Sequence, residues 1–139
     1  MKKTAAYPIA LIACLLSYNA AAANNCSVLG VHEPNTNIYD GPTWCENTKL
    51  SNLIVRGPLS ISHSNVLGTT DISGPVQSKN ATFHKVVIHS SLSQQKVILS
   101  QKTTVNGDLI FVGVRGKVFV DKSSKVTGKI VNAEVDLVK

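Results

Sequence analysis

Aromatic residues are scarce in this chain: they make up 5% of 139 residues, with a single tryptophan. So thin a set supplies no row of stacking platforms for bases and argues against nucleic acid as a partner. Cysteine is limited to Cys14, Cys26 and Cys45, and no Cys-x-x-Cys pair occurs. That removes the usual thiol-redox motif and the cysteine-rich zinc sites. The eight acidic residues are scattered rather than paired, whereas glycosidase chemistry needs two carboxyls roughly 5 to 10 Å apart about one bond. No Gly-x-Ser-x-Gly elbow is present for a serine nucleophile. No segment carries a capped i, i+3, i+4, i+7 stripe, so no amphipathic helix is expected.

What is present first is a leader. Lys2 and Lys3 precede an apolar run from Ala5 to Leu16, and Ala20-Ala21-Ala22-Ala23 supplies small residues for cleavage before Asn24. The run is shorter than the roughly 20 residues of a membrane span. Residues 1–23 therefore read as a bacterial signal peptide, and the product as secreted or periplasmic. A second reading takes Leu11-Ile12-Ala13-Cys14 as a lipoprotein box with Cys14 as the anchor. The apolar character continuing through Leu15 and Leu16 speaks against it, because an acylated terminus is normally followed by a polar tether. No later stretch is long and apolar enough for a transmembrane helix.

With the leader gone, Cys26 and Cys45 remain as an even pair in an oxidising compartment, which predicts a disulfide. Closing that loop is worth about 3 kcal/mol. Loss of Lys2 and Lys3 leaves 12 basic and 8 acidic residues, a net charge of +4. This suits an acidic polysaccharide or protein partner, and falls short of a nucleic-acid footprint.

Composition divides the remainder. Residues 24–49 are polar and turn-rich, with Glu33-Pro34-Asn35-Thr36-Asn37 and Asp40-Gly41-Pro42, and read as a disulfide-bonded cap. From residue 50 to 139, short β-branched runs alternate at the strand period: Leu53 and Val55, Leu59 and Ile61, Val97 and Leu99, Leu109 and Phe111, Val118 and Val120, Val135 and Leu137. Val105-Asn106-Gly107-Asp108-Leu109-Ile110 returns 21 residues later as Val126-Thr127-Gly128-Lys129-Ile130-Val131. Ile72-Ser73-Gly74-Pro75-Val76 carries a similar core at a different spacing. A repeat of this length predicts a short all-β solenoid of about four coils, and a β-sandwich is the alternative.

The stretches Val105–Leu109, Gly116–Val120 and Ser124–Ile130 resemble the coil pattern of bactofilins, polymer-forming bacterial proteins built as a β-helix. The resemblance covers about the last third of the chain. It implies a β-helical fold and a capacity to self-associate. The leader and the cysteine pair depart from that family, whose typical members are cytoplasmic.

Candidate sites are few. His63 and His84, 21 residues apart, are expected to stack on adjacent coils. No carboxylate lies at matching spacing to complete a metal site, and no metal or cofactor is expected. His84 and His89 are expected on opposite strand faces. Asp71 and Asp108 are placed to meet across coils, although both read first as turn residues. Tyr39 and Trp44 flank an Asp-Gly-Pro turn beside Cys45, so a rigid loop presenting both rings to a sugar is one expectation. Trp44 packing as a lid over the end of the β-stack is the stronger one. Lys117, Lys122, Lys125 and Lys129 form a basic C-terminal cluster, read either as an adhesive surface or as protection of a strand edge. The expectation is an exported, non-enzymatic structural or interaction protein that self-assembles or displays a surface. The alternatives are a carbohydrate-binding module centred on Tyr39 and Trp44 and, more distantly, a small β-helix polysaccharide hydrolase.

Overall fold

Period-two alternation over short runs gives strands, and the computed structural model is all-β. It describes residues 25–91 and 93–138, which form seventeen strands and no helix. The expected signal peptide and Cys14 lie outside the described residues. One side of the molecule is a parallel ladder of β4 (Thr43–Glu46), β7 (Leu59–Ser62), β9 (Val76–Lys79), β11 (Lys96–Ser100), β14 (Gly116–Asp121) and β17 (Ala133–Val138). A second ladder runs through β3 (Ile38–Asp40), β6 (Leu53–Arg56), the ends of β8 (Asn65–Ile72) and β10 (Thr82–Ser90), β13 (Leu109–Gly113) and β16 (Ile130–Val131). The third ladder is short: β5 (Lys49–Leu50), the starts of β8 and β10, β12 (Thr104–Val105) and β15 (Lys125–Val126). The chain thus winds as a β-solenoid of about six turns.

Alternation places every second side chain inside. Leu59, Ile61, Val76, Val97, Leu99, Val118 and Val120 from the first ladder meet Leu53, Val55, Ile72, Ile88, Leu109 and Phe111 from the second, with Val66, Phe83 and Val105 filling the third side. Each such side chain contributes about 1.5–3 kcal/mol through burial. Coil length is not constant. Thr43 pairs with Leu59, Leu59 with Val76, Val76 with Val97 and Val97 with Val118. The first two steps are therefore shorter than the two that follow. The 21-residue repeat lies in register, Val105 beside Val126 and Leu109 beside Ile130. Gly74 does not belong to that repeat. It sits at another corner, where an added β-carbon would lie 2.6 Å from the Gly57 backbone.

That corner carries a signature of its own. Gly41-Pro42, Gly57-Pro58 and Gly74-Pro75 recur once per coil and lead directly into β4, β7 and β9. Gly57 has φ +151°, and a β-carbon there would come within 2.8 Å of the Gly41 carbonyl. Proline adds a fixed φ at the start of each strand, a position where it blocks no essential ladder bond.

The next corner needs left-handed backbone, with Asn47, His63, Asn80 and Gln101 at φ 50°, 47°, 49° and 50°. His63 therefore stacks in register with Asn47 and Asn80, not with His84 as the 21-residue spacing suggested. Asparagine tolerates this conformation better than histidine. Accordingly His63→Asn is expected to raise stability by about 0.5 kcal/mol, read as a higher urea midpoint with an unchanged slope. A lower midpoint would show that the imidazole has a role beyond the turn. Inside the same corner, buried Thr48, Ser64, Thr103 and Ser124 satisfy the backbone. The Thr48 N–H donates to Ser64 Oγ (3.2 Å) and the Thr103 N–H to Ser124 Oγ (3.1 Å).

The two ends differ. At the N-terminal end, β1 (Cys26–Val28) pairs antiparallel with β4, and β2 (Val31–His32) antiparallel with β3. Cys26 opposes Cys45 and is bonded to it, as expected. This antiparallel layer is a cap, but a shorter one than residues 24–49, because coils begin at Ile38. At the other end, among the described residues, β17 pairs only with β14. Its inward positions Val135 and Leu137 are 44% and 74% exposed, whereas Val118 and Val120, their neighbours one coil earlier, are 0% and 6% exposed.

Candidate functional site

Trp44 sits in β4 between inward-facing Thr43 and Cys45, so alternation turns its indole outward, where it remains 45% exposed. It lies on the side of the solenoid and covers neither end, which overturns the lid expectation. Tyr39 is the opposite case. Its position in β3 points inward, and the residue is 1% exposed, with its ring stacked on His32 at 4.4 Å. The expectation that one loop presents both rings fails for this reason. Residues 38–40 and 43–46 are strands meeting at a corner, and the two rings fall on opposite faces of the wall.

Around Trp44 the fold assembles a shallow groove of about 360 Å³. Pro42, Pro58 and Pro75 form one wall, stacked at successive Gly-Pro corners. Trp44, Ser60 and Gln77 occupy one outward row, each in register with the next. Lys96 and Ile98 close the far side. The sequence holds a signal for this groove, since a Gly-Pro pair precedes each of three neighbouring strands of the first ladder, β4, β7 and β9, at nearly equal spacing.

The lysine cluster is dispersed. Lys117 lies on the first ladder, 3.6 Å from Glu134 and 5.2 Å from the Phe119 ring centroid. Lys125 lies on the third ladder, and Lys122 and Lys129 at the bends before the third and second ladders. Neighbours in sequence wind around the last coils, so the four do not form one patch.

The histidines and acids serve local structure. A register shift between Phe83 and Lys85 turns His84 outward, so His84 and His89 are both exposed rather than on opposite faces. His89 Nε2 lies 2.6 Å from Asp71 Oδ1. Asp71 is in register with Val87, and Val87 with Ile110, which puts Asp71 and Asp108 two coils apart, about 10 Å along the axis. Asp108 Oδ1 instead accepts from the Lys129 N–H (2.9 Å). Arg56 binds Asp40 at 2.8 Å and approaches Glu33 at 3.8 Å. Asp121 accepts from the backbone N–H of Gln101 and from Ser123, and these bonds hold its carboxyl at about 2. Among the described residues no three histidine, cysteine or acidic side chains gather to hold a metal ion.

Comparison with protein-family models, curated proteins and solved structures found no significant match.

Proposed function

We propose that this chain is an exported, non-enzymatic structural or interaction protein whose β-solenoid associates end to end with further copies of itself. One observation carries the reading: the inward row that is buried in every preceding coil emerges at Val135 and Leu137, on a strand paired along only one edge. A row of unpaired N–H and C=O groups flanked by exposed core positions is a template for another strand. The cap layer at the other end also exposes apolar side chains, Leu29 and Val31. Head-to-tail contact brings these together. Tail-to-tail contact instead sets Glu134 and Asp136 of one copy against those of its partner, and like charges opposed across strands destabilise pairing. A heterologous contact of the head-to-tail kind grows without closing.

The bactofilin-like coil pattern of residues 105–130 points the same way. The leader read in residues 1–23 and the disulfide together favour an oxidising destination, periplasmic or extracellular, with attachment through Cys14 as the lesser alternative. Sedimentation velocity on residues 24–139 with the disulfide intact tests the reading. Concentration-dependent growth into a ladder of oligomers is expected, and a single monomeric species from micromolar to millimolar concentration would refute it.

A further inference from the structure

The geometry points to a glycan-binding strip on the side of the solenoid, where an extended oligosaccharide lies along the axis with one ring on Trp44 and its hydroxyls on Ser60 and Gln77. This surface is separate from the solenoid ends, so it stands or falls independently of self-association.

Three features select this occupant. The groove is built of rings: the outward indole of Trp44 and the pyrrolidines of Pro42, Pro58 and Pro75. A pyranose offers apolar C–H faces to such a surface and keeps its hydroxyls at the rim, and aromatic groups with one apolar and one polar side favour this kind of contact. Second, the polar groups are few and ordered. Ser60 and Gln77 follow Trp44 along one row at the coil pitch of about 4.8 Å, comparable to the repeat of sugar rings in an extended chain. The serine hydroxyl and the glutamine amide each donate and accept, as a sugar hydroxyl does, and Lys96 adds a donor at the far side. A mostly apolar lining with a small number of placed polar groups is the usual form of a specific ligand site.

Third, the floor is closed to another strand. β4 is hydrogen-bonded to β1 and β7, β7 to β4 and β9, and β9 to β7 and β11. No free backbone edge remains in the groove, so an extended peptide gains none of the main-chain bonds on which strand addition depends. A proline-rich peptide is the remaining competitor. Its prolines bring carbonyl acceptors but no donors, and leave the acceptor sites of Ser60 and Gln77 unused. The walls are fixed in advance by proline and by strands paired on both sides, so binding costs little ordering of the protein.

Because Trp44 is the single tryptophan, its emission reports on this groove and on the neighbouring pocket formed with Asn25, Ser27 and Glu46, and the Gln77 variant tells the two apart. The test titrates residues 24–139 with cellohexaose, chitohexaose, hexagalacturonate and, as the competing class, a decaproline peptide. A saturable blue shift is expected with at least one hexasaccharide. Gln77→Ala is expected to weaken that binding about fivefold to tenfold. Trp44→Ala, followed by calorimetry, is expected to abolish it. Both side chains project from the surface, and circular dichroism confirms that the variants keep the fold. Failure of all three glycans to saturate, saturation by decaproline alone, or glycan binding that survives Trp44→Ala each overturns the assignment.

Discussion

Removing the Cys26–Cys45 bridge, by reduction or by a Cys26→Ala/Cys45→Ala double substitution, is expected to lower the unfolding free energy by about 3 kcal/mol. The bridge spans a sequence separation of 19, and a closed loop of that length removes about this much entropy from the unfolded chain. The loss should fall unevenly. β1 lies antiparallel on the outer edge of β4, and each coil of a solenoid is held mainly by its neighbours. Loosening β1 uncovers the edge of the first coil, and opening should start there rather than at β10 or β11. Urea unfolding with and without reductant gives the magnitude, as a fall in midpoint of about 1–3 M at an unchanged slope. Hydrogen exchange gives the location, with protection lost first in residues 26–46. An unchanged midpoint would mean that the cap contributes no stability to the coils beneath it.

The fold was legible because one local rule, alternation, repeats through most of the chain. Leu53 and Val55, Leu59 and Ile61, Val97 and Leu99, and Val118 and Val120 are all inside, and the two copies of the repeat beginning at Val105 and Val126 are in register. Cys26 and Cys45, the even pair expected to bridge in an oxidising compartment, are bonded. What was not legible depended on register. A 21-residue period fits the first-ladder steps from Val76 to Val118, and not the shorter steps before and after them. Applied earlier, it set His63 above His84, whereas the shorter coils there align His63 with Asn47 and Asn80. Short strands hide their direction too. Ile38–Asp40 and Thr43–Glu46 contain too few residues to reveal a period beside Gly41-Pro42, so Tyr39 and Trp44 read as partners on one loop when alternation sends one inward and the other outward. The groove itself is a product of stacking. Pro42, Pro58 and Pro75 become neighbours only after the coil length is known, and the same winding separates lysines 117, 122, 125 and 129.

Leu137→Lys is expected to abolish self-association, raising the dissociation constant at least about 30-fold to 100-fold. At 74% exposed the side chain contributes little to its own coil, so the fold should survive. In an end-to-end contact it becomes buried, and a lysine placed there carries an unpaired charge into apolar surroundings, which costs several kcal/mol. Leu29→Lys at the opposite end distinguishes the two possible geometries. If copies meet head to tail, each contact uses one C-terminal and one N-terminal end, and either substitution alone gives monomers. Mixing the two variants then restores a single intact contact, the C-terminal end of the Leu29→Lys chain with the N-terminal end of the Leu137→Lys chain. Growth stops at a one-to-one dimer because each outer end is blocked. If copies meet tail to tail, Leu29→Lys alone dimerises as the parent does and mixing with Leu137→Lys adds nothing. Sedimentation of the two variants, separately and mixed, therefore separates a filament-forming contact from a symmetric one. Monomers under every condition, with the parent chain also monomeric, would remove self-assembly altogether.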